Sequence, residues 1–188
     1  MASACLPIVC SESCDTQLPA VDFDICNPQV KFGQICTVYI TNIGNPLTDE
    51  TDGTEWYTRL NLAQVDPAKI IALTVVGSKP VAEATIIDIS KNRKVQGNKN
   101  HTVPIKIDDL SQANYEMMRA FECGKTLLVW YETLEGELFG GAVGIEASIL
   151  LNHMIPEGAN DLQMIEGTLT WRSKFHPCRT NMPEIVAP

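Results

Sequence analysis

Residues 102–149, TVPIKIDDLSQANYEMMRAFECGKTLLVWYETLEGELFGGAVGIEASI, decide how this chain is read. Val103, Ile105 and Ile107 alternate with polar residues, the period of a strand buried on one face. Asp109 predicts a helix start, because its carboxylate can accept from first-turn N–H groups and Gln112 completes a capping box. Leu110, Ala113, Met117 and Phe121 then share one helical face, and Gly124 stands where such a helix ends in a left-handed residue. Thr126 to Tyr131 (TLLVWY) follows as a strand, Glu135-Gly136 as a turn and Ala142 to Leu151 as another strand. The unit is one short helix laid across antiparallel strands.

Upstream, Val21 to Cys26 and Val30 to Ile43 read as strands joined by Asn27-Pro28. Alternation in the second puts Ile35, Thr37, Tyr39, Thr41 and Ile43 on one face and Cys36, Val38 and Ile40 on the other, with Gly33 marking a bulge or bend. Residues 42–57 form a long loop made acidic by Asp49, Glu50, Asp52 and Glu55, and Trp56, Leu60 and Ala63 suggest a helical turn closing it. The order of ligands in that loop does not fit an EF-hand. Ile70 to Val76 is a continuous apolar run and predicts a strand buried on both faces, and Glu83 to Ile89 predicts another. SKNRKVQGNKN (90–100) reads as a basic hydrophilic loop.

Downstream, Pro156-Glu157-Gly158 is a turn, and Ile165 to Phe175 alternates almost without a break, with Trp171 on the apolar side. The summed expectation is a mainly β chain: an antiparallel β-sandwich or barrel of about eight strands with one flanking α-helix near 110–123 and a second short one. An N-terminal arm would occupy 1–20, the β domain 21–179 and a tail docking elsewhere 180–188.

With 188 residues and 45% hydrophobic composition, the chain can bury a sizeable core. No run reaches 18 apolar residues, and MASACLPIVCSESC lacks the basic and apolar regions of a secretory signal, so cytoplasmic synthesis without membrane insertion is expected. A net charge of −9 disfavours adhesion of the whole surface to nucleic acid. The charge is segregated: residues 132–166 hold seven acids and no Lys or Arg, whereas 91–106 hold Lys91, Arg93, Lys94, Lys99 and Lys106 and no acid. Opposite faces of this kind suit contact between copies.

Cys5, Cys10, Cys14 and Cys26 crowd the first 26 of seven-cysteine sequence, but paired zinc-ligand spacing is absent, so reduced, mostly buried thiols and no metal or cofactor are expected. His101, His153 and His176 show no metal spacing and read as packing or surface residues. No general acid–base pair, phosphate loop or activated nucleophile stands out, so an enzyme is not expected. Gly140-Gly141 reads as a sharp bend or close backbone approach.

VKFGQICTVYITNIGNPLTD, KIIALTVVGSKP, VPIKIDDLSQANYEMMRAFECGKTLLVWYE and MIEGTLTWRSKFHPCR together resemble virion structural proteins of tailed bacteriophages. The likeness is to those of crAss-like and other phages of gut Bacteroides, and to the tail-tube or tail-hub type in particular. The resemblance implies a ring or tube of identical subunits around a DNA channel in the virion, with portal, connector, tail or capsid components as neighbours and DNA passing without specific binding. Asp49, Glu50, Asp52 and Glu55 would then face the lumen or the next ring. Lys91, Arg93, Lys94 and Lys99 would dock on an adjacent subunit, and the arm carrying Cys5, Cys10 and Cys14 would clasp a neighbour. The N-terminal cysteines depart from the tail-tube pattern. Alternatives are a capsid auxiliary, head-completion or head-fibre anchor protein, and a carbohydrate-binding β-sandwich module.

Overall fold

The computed structural model describes residues 30–31, 33–90, 93–158 and 160–187. The predicted arm at 1–20 and strand Val21 to Cys26, with Cys5, Cys10 and Cys14, lie outside the described residues, as does Lys91. The chain is mainly β. Its strands are β1 (Ile35–Asn42), β2 (Ile71–Gly77), β3 (Glu83–Ser90), β4 (Arg93–Ile107), β5 (Thr126–Thr133), β6 (Glu137–Phe139), β7 (Ile145–Met154), β8 (Met164–Ser173) and β9 (Arg179–Asn181). The helices are α1 (Gly53–Leu60) and α2 (Gln112–Phe121).

The sheet is closed. Antiparallel pairing runs β1-β2-β4-β8-β7-β5, and β5 pairs back onto β1, making a six-stranded barrel with no free edge of its own. Of the two expected architectures the barrel is the one found, but with six strands in the closed wall and three appended; the sandwich alternative and the count of about eight are corrected. β3 is an appendage on β4, and β6 with β9 continue outward from β5.

Alternating side chains fill the interior: Val103, Ile105 and Ile107 from β4, Ile165 and Leu169 from β8, Ala147, Ile149 and Leu151 from β7, and Leu127 and Val129 from β5. In β1 the strict alternation breaks. The register with β2 and β5 shifts between Ile35 and Thr37, so Ile35 joins Val38 and Ile40 in the core instead of Tyr39. The bulge falls between Ile35 and Thr37, beyond Gly33, the position the sequence suggested.

β5 is buried on both faces, because its other side, Leu128 and Trp130, joins Tyr39, Leu47, Trp56 and Leu138 in a second cluster beneath α1. Trp56 stands edge-on between Tyr39, at 5.0 Å, and Trp130, at 5.8 Å. The bend at 140–144 is shaped by Trp130: Gly141 carbonyl accepts from its Nε1 at 2.6 Å, and a Cβ on Gly144 would lie 2.8 Å from its ring. β2 differs. Ala72, Thr74 and Val76 face out, since α1 covers β1 and β5 but not this strand; the expected two-sided burial is corrected.

α2 closes one end of the barrel through Met118, Met117, Phe121 and Leu110. Its N-cap is Ser111, not Asp109, whose carboxylate instead accepts from Ser111 N at 2.9 Å and from the Asn114 amide at 3.0 Å. Ala113, expected on the core face, is exposed, and Met118 takes the buried position. Gly124 has φ 68°, in the left-handed region, and its N–H donates to Phe121 O at 3.0 Å.

The C-terminal segment docks on its own domain. Arg179–Asn181 pairs with β6, and Met182 packs in the second cluster and donates through its N–H to Gly136 O at 2.7 Å. Cys36 and Cys123 are free thiols, whereas Cys178 is disulfide-bonded, which corrects the expectation that every cysteine is reduced.

Candidate functional site

Two features stand apart from the barrel's internal packing: a hairpin that leaves it and a cavity at its unplugged end. Of the stretch read as a basic loop at 90–100, residues 93–100 belong to the outgoing strand of that hairpin, a correction. β4 pairs with β8 only from Lys99 to Ile107, while β3 pairs with β4 between Arg93 and Asn100. Residues 93–98 therefore form, with β3, a two-stranded ribbon beyond the barrel wall. Register shifts at Ala84/Ile86 and Asp88/Ser90 twist it. Gly97 admits the close approach of β3, since a Cβ there would lie 3.2 Å from Thr85 O. The ribbon is polar enough to read as a loop, yet Ile86, Ile87 and Ile89 are 63%, 53% and 59% exposed on it.

The predicted docking cations separate. Lys94 lies on the ribbon, 3.7 Å from Asp88, with both side chains about two-thirds exposed, an ion pair worth at most about 1 kcal/mol. Arg93 opens β4 opposite Ser90. Lys99 sits at the barrel wall, with Nζ 3.5 Å from His176 Nε2.

The predicted lumen loop is held tightly by its own acids. Glu55 accepts from Thr48 N and Asp49 N at 3.0 and 3.1 Å and pairs with Arg59 at 3.6 Å. Asp52 caps α1 by accepting from Thr54 N at 2.9 Å. Asp49 accepts from Thr51 N and Oγ1, and these bonds hold its carboxyl below the usual range. Glu50 is buried, and its carbonyl accepts from Trp56 Nε1 at 3.0 Å. Arg59 draws the loop down through the carbonyls of Asn45, Pro46 and Ala68.

The end opposite α2 is open. A cavity of about 400 Å³ lies there, lined by Ile35, Lys79, Tyr131, Phe139, His176 and Pro177 among others. Tyr131 stacks on Phe139 with centroids 4.9 Å apart and planes at 12°. Below, His101 stacks on Trp171, its cross-strand partner, at 4.9 Å and 7°. The Tyr131 hydroxyl is buried and makes no hydrogen bond, and neither ring nitrogen of His101 makes a well-formed one. Unpaired buried polar groups cost about 1–3 kcal/mol each.

Desolvation, then Lys79, His176 and Lys99, hold His101 below its ordinary value, with the Ser173 backbone acting in the opposite direction. His176 is lowered by desolvation, Lys99 and Lys79, and Lys79 by desolvation and Lys99. Burial raises the Tyr131 phenol. Sequence reasoning did not single out Lys79 or Tyr131 as site residues, and read His101 as a packing or surface residue, the packing role being the one found. The one available signal was register, because His101 continues the inward positions of Val103 and Ile105.

Among the described residues no group of His, Cys, Asp and Glu is arranged to hold a metal, and no helix is long and apolar enough to cross a membrane. No protein-family model matches the chain, and no curated protein matches it in sequence.

Proposed function

We propose that the chain is a non-catalytic structural subunit that assembles with copies of itself, the β3–β4 hairpin of one copy docking on the acidic flank of the next. The observation that carries this reading is the set of three exposed isoleucines, Ile86, Ile87 and Ile89, on a ribbon that the barrel does not support. A two-stranded ribbon is marginal alone in water, and burying its apolar side chains against a second surface would stabilise it. A closed barrel offers no strand edge for association, so contacts fall to its appendages.

Charge supports a second copy as the occupant. The charged residues of β4 are all cations, and Glu135, Glu146, Glu157 and Asp161 stand exposed in a stretch of sequence without Lys or Arg. Such a head-to-tail contact closes into a ring where its rotation permits. The sequence resemblance extends the proposal to a virion ring or tube of tail-tube or tail-hub type around a DNA channel. There a surface of net charge −9 would let DNA slide past.

Negative-stain imaging of the purified chain tests this. Rings or tubes are the expected result. Particles that associate only with assembled capsids would move the chain to a capsid-auxiliary role, and a dispersed monomer would end the reading.

A further inference from the structure

We propose that the open mouth of the barrel is a binding site for a small organic anion, a carboxylate carried on a flat apolar body. The cavity has the volume of a small-molecule site, about 400 Å³, and among the described residues no carboxylate lines it. Its wall is aromatic, the stacked pair of Tyr131 and Phe139 with Pro177 beside them. At the rim, Lys79 and His176 line the cavity and Lys99 approaches His176 at 3.5 Å, so basic groups converge with no ion pair among the described residues. Lys79 and Lys99, two cations set near each other with no counter-charge among the described residues, favour an anion between them, and His176 can donate to it when protonated.

The second observation is independent of charge. Tyr131 is 2% exposed, its hydroxyl has no hydrogen-bond partner, and it lines this cavity. A buried donor held unpaired beside a cavity is satisfied by an acceptor on a ligand. Cations at the rim, a donor deeper in and an aromatic wall match a carboxylate with a planar body. This inference does not depend on self-assembly, because the ribbon isoleucines are not among the residues lining the mouth.

The experiment is calorimetric titration of the full chain with benzoate, benzamide and inorganic phosphate, repeated on Lys79→Gln, Tyr131→Phe and the ribbon variant Lys94→Gln. Benzoate is expected to saturate one site per chain, at least tenfold more tightly than benzamide or phosphate. Lys79→Gln and Tyr131→Phe should each weaken benzoate at least fivefold, with Lys94→Gln unchanged. Tyr131→Phe keeps the ring and removes only the unpaired hydroxyl, so its unliganded melting temperature should hold or rise. Absent benzoate binding, equal affinity for benzamide, tighter phosphate binding, or benzoate affinity untouched by both mouth variants would each overturn the proposal.

Discussion

At the scale of single residues, the interior is set by a few close approaches that tolerate little change. Trp130 is the clearest. Its indole nitrogen is satisfied by Gly141 carbonyl and its ring is flanked by Gly140 and Gly144, both with positive φ. Gly144→Ala combines left-handed backbone cost with overpacking and should destabilise the fold by about 2–4 kcal/mol in urea denaturation. His101 gives a pH prediction. Its folded-state pKa lies below the ordinary 6.5, so the unfolded chain binds the proton more readily. Stability from this group is present above about pH 6.5 and falls as the pH drops toward the folded value, with Lys79, Lys99 and His176 facing the ring. Melting temperatures measured between pH 7.5 and 5 should decline, and His101→Phe should flatten the decline by keeping the stack on Trp171 without the titration. The double glycine was legible in sequence because no residue with a Cβ fits such a bend. His101 was not, because one imidazole on an alternating strand looks the same whether or not its nitrogens find partners.

At the scale of elements, the sequence was readable wherever one face met the core and the other met water. Ile165 to Ser173 behaves so, with Ile165, Leu169 and Trp171 inward. TLLVWY is apolar throughout because α1 covers its outer face, whereas the similar run at 70–76 has no such cover and leaves Val76 55% exposed. Local composition cannot tell these two apart, since the difference lies in which strand a distant helix crosses. The ribbon failed differently: cross-strand pairing, not hydrophobic pattern, makes residues 93–98 a strand. α2 was placed correctly and Leu110, Met117 and Phe121 of its predicted face pack on the core, but Met118 is the most deeply buried residue and Ala113 is exposed. Met118→Ala should therefore cost about 2–5 kcal/mol, as for other buried large-to-small changes, while Ala113→Ser should stay within about 0.5 kcal/mol. Comparable losses for the two substitutions, measured by chemical denaturation, would contradict that orientation.

At the scale of the whole molecule, the barrel is complete without its hairpin. Its six strands close, α2 plugs one end, and the C-terminal strand and Met182 tie back to β6 and the second cluster. Besides a few unpaired buried polar atoms, those of Tyr131 and His101 at the mouth among them, what remains unsatisfied is outside: the isoleucines of the ribbon and the unequal division of charge. The proposed self-association would relieve both at once and leave the acidic 42–57 loop, already fastened by Arg59 and Glu55, as a fixed surface. Light scattering coupled to size exclusion, run over a concentration series on the native chain and on Ile86→Asp/Ile89→Asp, puts this to the most direct test. The native chain should show a mass several times that of one subunit, and the variant should elute as a folded monomer with an unchanged melting temperature. A native chain that remains monomeric at every concentration, or a variant that assembles as the native chain does, would contradict the account.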